Sequence, residues 1–114
     1  MGEDYSSYVK NKINEFYSMG IEYGKSKKLL SFKGNINEDE IEKELLNFHH
    51  LTFTEKQTRD GEIRYALYFV YSKKRGLVFV ITFRERIRLI TIYPLGKTTL
   101  QKYFQKRFKK ENRF

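Results

Sequence analysis

Leu77-Val78-Phe79-Val80-Ile81-Thr82-Phe83 is the stretch of sequence on which the fold turns. It is apolar at both alternating sets of positions, so a strand here needs cover on both of its faces, as only a central strand receives. No apolar run in the chain approaches the roughly 18 residues of a membrane span. Working back from Leu77, Ser72-Lys73-Lys74-Arg75-Gly76 is a charged turn. Before it, Ile63, Tyr65, Leu67, Phe69 and Tyr71 alternate with Arg64, Ala66, Tyr68 and Val70, the period-two signal of a long strand. Asp60-Gly61 reads as a hairpin turn, with Leu51 and Phe53 alternating against Thr52 and Thr54 upstream of it. Forward of Phe83, Arg84-Glu85-Arg86 is the next turn, and Ile87 to Tyr93 is a fourth strand stopped by Pro94 and Gly96. The expectation is a four-stranded antiparallel meander over about 51–93.

The flanks are helical. Tyr5, Val9, Ile13 and Phe16 or Tyr17 recur at helical spacing over about 5–18, with Asp4 and Ser6 as cap candidates and Gly20 as a stop. Asn37 is placed to cap the amide of Glu40, with Ile36 positioned to staple onto Ile41, which predicts a second helix over 37–47. Residues 21–35 are interrupted by glycine and rich in lysine, and offer at most a short strand near Leu29 to Phe32. A last helix over 98–110 starts on a Thr98/Gln101 capping box and turns Leu100, Tyr103, Phe104 and Phe108 inward. The class is α+β, with two N-terminal helices and one C-terminal helix around the meander. At 114 residues the chain is one domain, 1–114.

There is no Cys, which excludes a disulfide framework, a thiolate metal site and a cysteine nucleophile, and suits an intracellular protein. The net charge of +9 is unevenly spread. Residues 1–60 carry nine basic and eleven acidic side chains, a net of −2, whereas residues 61–114 carry fourteen and three, a net of +11. Such a local excess must face water, an acidic patch or a polyanion. Glu38, Asp39, Glu40, Glu42 and Glu44 supply an acidic patch in the first half, so ion pairing within the chain or in a homodimer is the plain structural alternative.

The order of two helices, a meander and a C-terminal helix, with Arg64-Tyr65-Ala66-Leu67-Tyr68 through Leu89-Ile90-Thr91-Ile92-Tyr93 as paired strands, is similar to the RelE/ParE-type toxins. That resemblance implies a metal-independent ribonuclease with Arg, Lys and Tyr on the sheet and terminal helix; Arg64, Arg88, Tyr93 and Lys102 are of the right kinds. Separately, the Ile-, Lys- and Tyr-rich composition and Val78-Phe79-Val80-Ile81-Thr82-Phe83 give the chain a look that resembles small proteins of rod-shaped viruses infecting hyperthermophilic crenarchaea. This second resemblance implies a heat-stable, virus-encoded protein working inside the host cell.

No motif spells out a reaction. Gly96-Lys97-Thr98 ends like a phosphate-binding loop, but the glycine required five positions earlier is Thr91. His49-His50 is the only histidine pair, and adjacent residues do not aim at one metal from regular structure; one of them as a general base stays open. Asp60 and Glu62 imitate part of a carboxylate metal site, but Asp60-Gly61 is better explained as a turn. No cofactor and no metal is expected. The basic residues carry more information: if Arg84, Arg86 and Arg88 continue one strand they share one side of it, and if Arg84 belongs to the turn Arg86 and Arg88 still do; Arg64 lies on a neighbour, and Lys73, Lys74 and Arg75 make a basic tip. Lys102, Lys106, Lys109 and Lys110 line one side of the last helix. With Tyr68, Tyr103 and Phe114 available to stack on bases, the expectation is a nucleic-acid-binding module that grips phosphate backbones, DNA or RNA, with little base reading.

Overall fold

The computed structural model describes residues 3–23 and 37–111. Helix α1 (Ser6–Phe16) runs into a 3-10 turn (Tyr17–Met19) and strand β1 (Ile21–Tyr23). Helix α2 (Glu38–Asn47) then leads into strands β2 (Leu51–Arg59), β3 (Glu62–Val70), β4 (Gly76–Phe83) and β5 (Ile87–Pro94), and helix α3 (Lys97–Glu111) closes the described chain. The class is α+β, and the meander β2-β3-β4-β5 is antiparallel throughout.

The sheet has five strands, not four, in the order β1-β5-β4-β3-β2. The added strand pairs parallel with β5, Ile21 opposite Ile87 and Tyr23 opposite Leu89. Three residues are too few to display a period, and their hydrogen-bond partners come from the far end of the sequence. The short strand expected near Leu29 to Phe32 and the staple at Ile36 lie outside the described residues.

Strand β4 is the middle of the five, and every residue from Gly76 to Thr82 is buried. Its two faces are covered differently. Leu77, Phe79 and Ile81 join Tyr65, Leu67, Phe69, Ile87, Leu89 and Ile92 beneath Val9 and Ile13 of α1 and Ile41 and Leu45 of α2, with the Phe69 and Phe79 rings 4.7 Å apart. On the second face, Ala66, Val78 and Val80 form a small cluster beside Phe53, Val70, Leu100 and Tyr103, where α3 lies on β2 and β3.

Local chemistry sets the boundaries. Asp4 Oδ1 accepts from the amide and hydroxyl of Ser6 at 3.0 and 2.6 Å, and from the amide of Thr54 at 3.1 Å. The Tyr5 amide donates to the Thr54 carbonyl at 3.0 Å. Tyr5, and neither Asp4 nor Ser6, holds the N-cap position of α1 and supplies no side-chain cap; the Asp4 carboxylate serves the first helical amide from outside it and occupies part of the open edge of β2, where free backbone groups would invite another strand. Asn37 caps α2 as its spacing predicts, accepting from the Glu40 amide at 2.9 Å. Helix α3 begins at Lys97, with the Leu100 amide donating to the Gly96 carbonyl at 2.8 Å, so Thr98 sits inside the first turn and not at the cap. Asp60 and Gly61 take φ of 52° and 78°, the left-handed pair that a two-residue hairpin requires.

Candidate nucleic-acid interface

The basic residues fall at two opposite ends of the sheet. The β3–β4 turn holds Lys73, Lys74 and Arg75, and the β4–β5 turn holds Arg84 and Arg86. They are separated by the eight residues of β4, roughly 25 Å at the rise of a strand. Strand β5 runs away from the arginine end, so α3, which follows it, starts beside the lysine end. Lys73 Nζ lies 5.9 Å from the Phe104 ring of α3, and Lys102 Nζ lies 6.0 Å from the Tyr103 ring. The lysine turn and the arginine turn thus stand apart, because antiparallel pairing sends consecutive turns to opposite ends. The side chains of Lys106, Phe108, Lys109, Lys110 and Phe114 lie outside the described residues.

At the lysine end the turn is held by Ser72 Oγ, which accepts from the Lys74 and Arg75 amides at 3.1 Å each. Arg75 extends over the Tyr71 ring at 5.4 Å. One face of each of the Tyr68 and Tyr103 rings is already taken. Their rings stack on each other at 5.0 Å, and Phe53 stacks on Tyr103 at 5.7 Å.

At the other end Arg84, Arg86 and Arg88 line one depression of about 530 Å³, together with Glu22 and Glu85. Arg84 belongs to the turn, its amide donating to the Arg86 carbonyl at 3.2 Å. It also forms an ion pair with Glu62, whose other oxygen accepts from Arg64 Nε at 2.8 Å. Arg64 first and Arg84 second hold the Glu62 carboxyl below its ordinary value of 4.5. Two of the arginines are thus balanced by one carboxylate. Arg86 and Arg88 have no such ion pair among the described residues. Arg88 Nε is buried and meets no acceptor there. A buried donor without a partner is unfavourable by about 1–3 kcal/mol, and such an atom calls for a ligand or a water.

Sequence reasoning missed a second cluster. His50 Nδ1 lies 3.1 and 3.2 Å from the two carboxylate oxygens of Glu44. When neutral and donating from Nδ1, the ring presents an unprotonated Nε2. The Tyr71 ring packs 4.7 Å from His50, its hydroxyl raised well above its usual range by burial and by Glu44, an effect Arg75 partly opposes. These side chains border a cavity of about 680 Å³. The residues are brought together by the ladder, where the Val70 amide donates to the His50 carbonyl at 3.0 Å. The left-handed turn at Phe48, whose amide donates to the Glu44 carbonyl at 3.0 Å, returns His50 to Glu44, whereas only the register of β3 links Tyr71 to the histidines.

Among the described residues no group of three or more His, Asp or Glu is arranged to hold a metal, and no helix is long and apolar enough to cross a membrane. No protein-family model matches this chain, and neither a curated protein nor a solved structure does.

Proposed function

We propose that this chain is a nucleic-acid-binding module that holds the phosphate backbone through arginine and lysine, with little direct reading of bases. The observation that carries the reading is the depression at the β4–β5 end. Three guanidinium groups line it, two of them without an ion-pair partner among the described residues. The net of +11 over residues 61–114 supplies the long-range attraction that draws a polyanion toward that surface. Phosphate contacts of this kind need no cofactor. The deciding experiment is purification at low salt: nucleic acid that travels with the protein and is stripped at high salt supports the reading. Protein that is free of nucleic acid, and binds neither DNA nor RNA in low salt, refutes it. Self-association of the acidic α2 with the basic end of another copy is the alternative that the same experiment separates, since it is salt-sensitive without any nucleic acid.

A second reading, metal-independent cleavage of RNA, is favoured by the His50 cluster. There Glu44 orients an imidazole that is able to take a proton, and Arg75 stands near enough to offset developing negative charge. Cleavage that persists in EDTA and disappears in His50→Ala is the expected result. An RNA substrate left intact under those conditions eliminates it.

A further inference from the structure

Five positions separate Arg88 from Tyr93, an odd spacing that a regular strand turns to opposite faces. In β5 it does not. Thr82 pairs with Arg88 and Val78 pairs with Tyr93, and these two β4 partners are four residues apart, hence on one face. The register slips between Val80, opposite Thr91, and Ile81, opposite Leu89, leaving Ile90 as an extra residue. This bulge restores Tyr93 to the side of Arg88; re-aiming a side chain is a recurrent use of bulges beside functional sites.

The face so formed is accessible. Tyr93 is 40% exposed, whereas Tyr103 of the neighbouring aromatic cluster is 8% exposed. Helix α3 rests on β2 and β3, and Ile90 and Thr91, both half-buried, form a low floor between Arg88 and Tyr93. From Thr82 to Val78 the two positions are about 13 Å apart along the sheet. Burial, and Glu55 after it, push the Tyr93 hydroxyl up, so the ring meets a polyanion uncharged.

We propose that β5 is a track for an unpaired strand of nucleic acid, with phosphate held at Arg88 and a base stacked on Tyr93. The inference rests on the nucleic-acid reading above and names the form of the ligand. In a duplex the base faces are already stacked on one another, so an exposed ring on a sheet face gains a partner only from a single strand. Base stacking is tolerant of sequence, in keeping with a module that grips backbones.

The test is fluorescence anisotropy with the full chain against labelled 20-nucleotide oligo-dT and oligo-U, and against a DNA duplex of the same length, at one salt concentration. The expected result is tighter binding of at least one single strand than of the duplex. Tyr93→Ala should weaken the single strand by about 5- to 150-fold, the span of one lost base stack. The same variant should leave duplex binding within about twofold, and Tyr93→Phe, which keeps the ring, should bind like the natural chain. Equal affinity for both forms, or full binding by a Tyr93→Ala chain that melts cooperatively, overturns the single-strand track. Either outcome leaves the arginine contacts standing if Arg88→Ala still weakens binding. Absence of binding to any of the three probes overturns the track and the nucleic-acid reading together.

Discussion

Replacing Arg86 and Arg88 with alanine tests the arginine depression most directly. Arg86 is exposed in the turn and Arg88 is half-buried on β5, and neither has an ion pair among the described residues to lose. Removing Arg88 also deletes a buried donor that lacks a partner, so stability should hold or rise slightly. The effect belongs to binding. Each phosphate contact contributes about 0.9 to the slope of log Kobs against log salt on duplex DNA, and about 0.7 on a single strand. Two lost contacts lower the slope by about 1.8 or 1.4. Between 50 and 200 mM salt, a fourfold change, the natural chain should then lose about 12-fold more affinity than the double variant on duplex, or about 7-fold more on a single strand. Anisotropy titrations at four salt concentrations measure this, with a thermal melt to establish that the variant is folded. The matched control is Asp39→Ala with Glu40→Ala, both exposed on α2, which should leave nucleic-acid binding intact or strengthen it slightly. Were α2 instead the docking face for another copy, that control would weaken self-association. A folded Arg86/Arg88 double variant with an unchanged slope would refute the proposed contacts.

Three further outcomes follow from the fold. Ile81 is fully buried in the central strand, so Ile81→Asp places a carboxylate where its burial costs several kcal/mol, against a total stability of about 5–15 kcal/mol for a typical domain; a soluble, cooperatively melting variant would contradict the core assignment. At Gly76 an added Cβ would stand 2.6 and 2.8 Å from Leu95 and Leu100 methyls and 3.1 Å from the Phe69 carbonyl, so Gly76→Ala should cost about 1–3 kcal/mol, read as a lower urea midpoint at unchanged slope. Glu62 has its folded-state value depressed by Arg64 and Arg84, so its contribution to stability is present above the unfolded value and lost as pH falls through the folded one. The Glu62 carboxyl should therefore titrate by NMR below 4.5 in the natural chain and move up in Arg64→Ala; an unmoved midpoint would deny the pairing.

What the sequence shows of this fold depends on where the information sits. The apolar stretch at Leu77, the Asp60-Gly61 turn and the Asn37 cap are each set within a few residues, and all three are found as their local chemistry implies. Val78 and Val80 are 0% and 7% exposed, as a strand covered on both faces demands. Strand β1 is different. Ile21 to Tyr23 becomes a strand only because Ile87 to Leu89 lies alongside, and three residues carry no alternation to announce it. The place of Tyr71 in the Glu44–His50–Tyr71 cluster has the same origin, since its contact with His50 is a product of register.

The charges divide along the same line. Counting them predicts a polyanion partner for the second half of the chain, but a count cannot say that Glu62 neutralises Arg64 and Arg84 or that the two basic turns stand at opposite ends of β4. Arg86 and Arg88 emerge as the pair to test at the arginine end because Glu62 takes up Arg64 and Arg84. The bulge at Ile90 then decides what lies next to them. A strand without it would send Tyr93 to the helix-covered face, leaving Arg88 beside aliphatic neighbours and suited to phosphate alone. With five positions between Arg88 and Tyr93, the bulge is what gives this strand end a surface bearing both a cation and an aromatic ring. Deleting Ile90 should therefore keep the two together: Thr91, Ile92 and Tyr93 would stay opposite Val80, Phe79 and Val78, with Tyr93 an even four positions from Arg88 in an unbulged strand. Ile92 would remain in the main core and the surface would be preserved, so Tyr93→Ala is the probe that separates the ring from the cation.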